Sequence, residues 1–127
     1  KKFYDAALAT LGFKCVREEF DNSIDRLGAA GYGLQKPFFW VCLPHDLNKP
    51  AQPCNGSHVA FRANSKEQVQ EFYKAAIANG GTTETPPGPC PEYHENYYAA
   101  YIYDPDGHKV EVVFGNTQGD RNSYDPS

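Results

Sequence analysis

The chain has 127 residues and a formal net charge of -4, with a pI near 5.5, which is the length of one domain that can bury a core without staples. An acidic balance with no basic run excludes nucleic acid or an anionic membrane as the main partner and leaves small molecules. Cys15, Cys42, Cys54 and Cys90 are scattered with no C-x-x-C pair, so they predict unpaired thiols rather than a zinc knuckle or disulfide scaffold, and with no secretory or membrane-length apolar run they predict a cytoplasmic protein.

The first element is a helix already under way at the start of the sequence. Phe3, Tyr4, Ala7, Leu8 and Leu11 fall at helical spacing, and Gly12 suits the position just past its end. No methionine is present, and further chain is expected upstream. Extended segments follow at 14–20, 29–34 and 38–43, the last of them the strongly β-prone Phe38-Phe39-Trp40-Val41-Cys42-Leu43. Pro44, Pro50 and Pro53 then predict a linker over about 45–55.

The second half opens with a strand from His58. Side chains alternate there, so Val59, Phe61 and Ala63 share one face and His58, Ala60 and Arg62 the other. The clearest helix covers 65–79: Ser65 caps it with Gln68 at the capping-box position, Val69, Phe72, Tyr73, Ala76 and Ile77 form its apolar stripe, and Gly80-Gly81 end it. A weak strand near Thr82 leads into 85–91, which reads as a loop too rich in proline for a central strand. Segments 97–103 and 109–114 flank Asp104-Pro105-Asp106-Gly107, a hairpin turn. In the final strand Val110, Val112 and Phe114 form the apolar face, and Glu111 points away from it with Lys109 and Val113.

His58 and Glu111 therefore place an imidazole and a carboxylate, both metal-ligand types, on the same side of one sheet. Tyr97, Tyr101 and Tyr103 share a strand face, as do Phe38 and Trp40. A cavity lined by such rings takes a flat or partly apolar ligand, with Arg62 beside His58 to pair with an anionic group. Trp40, Arg62, Tyr101 and, from the loop before Tyr97, His94 are the candidate substrate-binding residues. His108 is assigned to the hairpin. Asp104 and Asp106 do not make a calcium loop, because Pro105 interrupts it and Gly115 stands where a bidentate glutamate is required. No nucleophile elbow, phosphate-binding loop, H-E-x-x-H or dinucleotide fingerprint occurs.

The element order is a βαβββ unit used twice, with the leading strand of the first unit absent from the sequence, and Phe3-Tyr4 and Phe72-Tyr73 hold matching places on the two helices. On Lys2-Phe3-Tyr4 with Leu11-Gly12-Phe13, Gly56-Ser57-His58-Val59-Ala60-Phe61, Phe72-Tyr73 with Gly80-Gly81, and above all Tyr103-Asp104-Pro105-Asp106-Gly107-His108-Lys109-Val110-Glu111, the chain resembles the vicinal oxygen chelate superfamily of glyoxalases, bleomycin-resistance proteins, fosfomycin-resistance enzymes and extradiol dioxygenases. The resemblance implies an α+β fold of two βαβββ modules, about 1–44 and 56–116, forming an incomplete barrel, followed by a tail at about 117–127. It further implies a divalent metal (Fe, Mn, Zn or Ni) on the concave face, with His58 and Glu111 as ligands, a third histidine from the absent first strand, and Glu111 as the catalytic residue. Strand 38–43 lacks the carboxylate that glyoxalase I-like enzymes carry there. Two functions stay open: a metal-dependent lyase, transferase or dioxygenase acting on a small oxygen-chelating substrate, or a metal-free protein that binds or sequesters a small molecule. A homodimer is expected in either case.

Overall fold

The computed structural model describes residues 1–24, 26–43, 47–48, 58–90 and 97–115. Its elements run α1 (Lys2–Ala9), β1 (Lys14–Asp21), β2 (Arg26–Gly33), β3 (Pro37–Cys42), β4 (His58–Arg62), α2 (Lys66–Ala78), β5 (Thr82–Pro89), β6 (Tyr98–Tyr103) and β7 (Lys109–Phe114). Two sheets result, one ordered β1-β2-β3 and the other β4-β7-β6-β5. They do not close into a barrel, and the α+β architecture expected from the repeated unit is the one observed. His45, His94, Cys54, most of the expected linker and the tail from 116 onward lie outside the described residues.

Each helix forms where its apolar spacing and end signals agree. α2 starts at Ser65, whose hydroxyl accepts from the Gln68 amide at 3.1 Å, while the Gln68 side chain accepts from the amide of Asn64 at 2.7 Å, one residue before the expected capping-box partner. α1 ends at Ala9 and the turn after it closes at Gly12, whose φ of 87° lies in the left-handed region, allowing the Phe13 amide to reach back to the Leu8 carbonyl at 3.0 Å. The hairpin between β6 and β7 is closed by Asp104: its amide donates to the His108 carbonyl at 2.8 Å, and its Oδ1 accepts from the amides of Asp106 and His108 at 3.0 and 2.9 Å.

The stretch 85–91, expected as a loop, is strand as far as Pro89. β5 tolerates its prolines because among the described residues it is the outer strand of its sheet, paired only with β6, and the register shift between Thr85 and Gly88 takes Pro86 and Pro87 out of the ladder. β2 likewise begins earlier than expected, at Arg26, carried by its pairing with β1.

One core joins the two halves. Phe72 and Val69 of α2 and Tyr4 and Leu8 of α1 are buried with Tyr32, Phe61, Ile102, Val110 and Val112 from the sheets. Phe61 is the link, with ring centroids 6.1 Å from Phe72 on one side and 5.0 Å from Phe39 on the other, and Phe39 in turn lies 5.1 Å from Tyr4. Each fully buried ring of this kind contributes about 1.5–3 kcal/mol. Polar fastening is added where the Tyr4 hydroxyl donates to Oδ2 of the buried Asp104 at 2.6 Å, tying α1 to the β6–β7 hairpin.

Candidate functional site

The second sheet places its polar side chains by register. β4 runs parallel to β7, pairing His58 with Lys109, Ala60 with Glu111 and Arg62 with Val113, and β6 runs antiparallel to β7, pairing Tyr103 with Lys109, Tyr101 with Glu111 and Ala99 with Val113. Directly opposed residues share a face. Val110, Val112, Ala100 and Ile102 face the buried side, leaving His58, Arg62, Lys109, Glu111, Tyr101 and Tyr103 together on the other, as the alternation predicts.

On that face Glu111 is flanked by the methyl of Ala60 and the ring of Tyr101. With so small a neighbour on β4, the imidazole of His58 approaches diagonally, its Nε2 3.3 Å from Glu111 Oε1. The glutamate side chain is 6 % exposed and that of the histidine 42 %. A carboxylate so deeply placed needs partners; its second oxygen, Oε2, accepts from the Tyr97 hydroxyl at 2.5 Å. Burial, and after it the hydrogen bond to Glu111, pushes the Tyr97 phenol above its ordinary range and keeps it protonated. The ring of Tyr101 lies 6.4 Å from that of His58, and the Lys109 ammonium sits 5.0 Å over the Tyr101 ring while pairing with Glu84 at 2.9 Å.

His58 also borders a cavity of about 670 Å³ lined from β3, β4, the start of α1, the end of α2 and the β6–β7 turn. Phe39, Trp40 and Val41 of β3 and His58 and Val59 of β4 contribute to its lining, and Lys109 and Asp106 add charge near the hairpin. Trp40 lies flat against β2 because its partner there is Gly31: an added Cβ would sit 3.0 Å from the indole. Glu111, Arg62 and Tyr101 do not line this cavity, and His58 is the residue shared between it and the Glu111 cluster. Arg62 is exposed at the far end of β4. The structure thus brings together His58, Glu111 and Tyr101, puts Trp40 and His58 on the lining of one cavity, and holds Arg62 outside it.

A nitrogen and a carboxylate oxygen 3.3 Å apart can both reach one divalent ion at the usual bond lengths of about 2.0–2.2 Å, and the donor types suit zinc, iron, manganese or nickel. Among the described residues the group of three or more ligand-type side chains is a different one, Asp104, Asp106 and His108, whose ligand atoms lie within 4.8 Å of one another. Asp104 there is committed to the turn, with Oδ1 and Oδ2 both accepting hydrogen bonds. Cys15 and Cys42 are free thiols, and among the described residues no helix is long and apolar enough to cross a membrane.

Tyr97 is the site residue that sequence reasoning missed. Alternation sets it on one strand face with Tyr101 and Tyr103, and what singles it out is the bond to a buried carboxylate that forms only when β6 lies beside β7.

Comparison with known proteins agrees with this architecture. No curated protein matches the chain. The structure is similar to that of a glyoxalase/bleomycin resistance protein from Albidiferax ferrireducens T118, with 39% identity, a TM-score of 0.73, and coverage of 91% of this chain and 86% of that one. At fold level it is also similar to a glyoxalase-related enzyme from Fulvimarina pelagi (23% identity, TM-score 0.63, covering 90% and 76%) and to the fosfomycin resistance protein FosX from Listeria monocytogenes (17% identity, TM-score 0.57, covering 94% and 82%). With the profile of that family also matching residues 1–112, the chain belongs to the Glyoxalase/Bleomycin resistance protein/Dioxygenase superfamily.

Proposed function

We propose that the chain is a metal-dependent enzyme in which His58 and Glu111 hold a divalent ion and present it to a small substrate bearing two adjacent oxygens. The observation that carries this reading is the 3.3 Å approach of His58 Nε2 to Glu111 Oε1, with the carboxylate buried. Burial of a carboxylate beside an imidazole is costly for stability alone and is understandable where both are ligands. When bound, such an ion supplies Lewis acidity that stabilises an oxyanion. The protein's own contribution is orientation: Glu111 is fixed by Tyr97, Tyr101 walls the cluster on one side, and Trp40, on the lining of the cavity that His58 borders, offers an apolar surface for part of a substrate. Arg62 and His94 are proposed as further substrate-binding residues.

The test is the metal content of purified protein by elemental mass spectrometry, beside His58→Ala and Glu111→Ala. About one ion per chain in the parent and none in either folded variant is expected; metal retained at full stoichiometry in Glu111→Ala overturns the assignment.

A second reading, a metal-free binding or sequestering protein, is favoured by a specific observation. Among the described residues no third His, Cys, Asp or Glu gathers around His58 and Glu111, whereas the 670 Å³ cavity already has aromatic walls. Absence of metal after manganese, iron, zinc and nickel are each offered, together with ligand binding that quenches Trp40, supports this reading over the first. Under either reading the protein is proposed to be cytoplasmic, and it is proposed to be a homodimer because among the described residues β3 and β4 each pair with one neighbour only.

A further inference from the structure

We propose that Tyr97 is a positioning residue for Glu111, holding Oε2 so that Oε1 is the single carboxylate oxygen turned toward His58 and toward whatever that pair binds. The proposal deepens the metal reading above and rests on it for its function. The 2.5 Å bond from the Tyr97 hydroxyl occupies one acceptor direction of Oε2, and the 3.3 Å approach of His58 defines the direction of Oε1. A buried carboxylate held by such a bond can rotate only by abandoning it, so the oxygen turned toward His58 is preset before a ligand arrives.

Three features separate this from an incidental contact. Tyr97 immediately precedes β6, so strand pairing with β7 anchors its backbone. Ala99 lies between Tyr97 and Tyr101 on the same face and carries only a methyl, leaving a lane along the strand for a ring to reach Glu111. Tyr101, although directly opposite Glu111 in register, meets His58 edge-on and carries Lys109 over its ring. Two tyrosines on one face therefore divide the work, Tyr97 on the carboxylate and Tyr101 on the imidazole. A carboxylate restricted to one oxygen favours a ligand set with sites left open for substrate, where a two-oxygen grip would fill one more of them.

The experiment compares the full chain with Tyr97→Phe and Glu111→Gln at one fixed pH, reading the His58 ring resonances by NMR without metal and then the Kd for Mn2+. In Tyr97→Phe the His58 resonances are expected to move toward their Glu111→Gln positions, and the Mn2+ Kd to rise about 10–100-fold, the usual effect of removing an outer-shell partner. His58 resonances unmoved in Tyr97→Phe but displaced in Glu111→Gln overturn the role of Tyr97. Resonances unmoved in both overturn the His58–Glu111 contact itself and the proposal with it. If the parent binds no Mn2+, the metal reading fails while the NMR comparison still judges Tyr97. Should Tyr97→Phe fail to fold, the parent's own Tyr97 phenolic proton decides: a bond this short slows its exchange and moves it downfield, and a rapidly exchanging proton overturns the proposal.

Discussion

Tyr4→Phe tests the fastening between the two halves of the molecule. The substitution keeps the ring, and with it the contacts to Phe3 at 4.8 Å and Phe39 at 5.1 Å, so no cavity opens. What it removes is a 2.6 Å hydrogen bond to Asp104, a carboxylate that is 6 % exposed and whose other oxygen is already used by two amides. Oδ2 is left buried without this donor. A hydrogen bond to a charged group contributes about 1.5–3 kcal/mol, and a chain of this length melts about 4 °C lower per kcal/mol lost, so Tm should fall by about 6–12 °C. The assay is thermal and urea unfolding followed by circular dichroism, with the urea slope compared to confirm that the folded state is unchanged. A loss below about 0.5 kcal/mol, the range of ordinary surface substitutions, refutes the reasoning and means that water satisfies Asp104.

Two further outcomes follow from the same geometry. Tyr4, Tyr32 and Tyr97 are each raised above the ordinary tyrosine value of 10.0, by burial first and then by hydrogen bonds to Asp104, Asp5 and Glu111 respectively. Because the folded protein holds these protons more tightly than the unfolded chain, their stabilisation is complete below pH 10 and is lost as pH rises past it. The urea midpoint should therefore fall steeply between about pH 10 and pH 11, and less steeply in Tyr4→Phe; equal slopes in the two proteins would count against it. Gly31→Ala places a Cβ 2.8 Å from Pro37 Cβ and 3.0 Å from the indole of Trp40. It should destabilise by about 1–3 kcal/mol, the usual cost of overpacking. Since Trp40 is the sole tryptophan, its emission should shift, and an unchanged spectrum means that the ring does not rest on Gly31.

Much of this was legible in the sequence because it is local. The stripe and cap of α2, the Asp104 turn, the bounds of β7 and the sharing of one face by His58, Arg62 and Glu111 all follow from periodicity and turn chemistry within a few residues. Other features depend on which strand lies beside which. β5 survives its prolines only because it is an edge, a position no stretch of sequence declares. His58 meets Glu111, and Tyr97 reaches it from 14 residues away, only once β4, β6 and β7 have adopted their register. The same pairing sets Arg62 away from the cavity, and it is packing of the other sheet against this one that brings Trp40 of β3 and His58 to a common cavity. Alternation along a strand is fixed by the covalent geometry of each residue, and so the sequence by itself determined which side chains share a face. Distance between strands is fixed by long-range pairing and by how Phe61 packs between Phe39 and Phe72, and so only the tertiary structure decided which of those side chains touch.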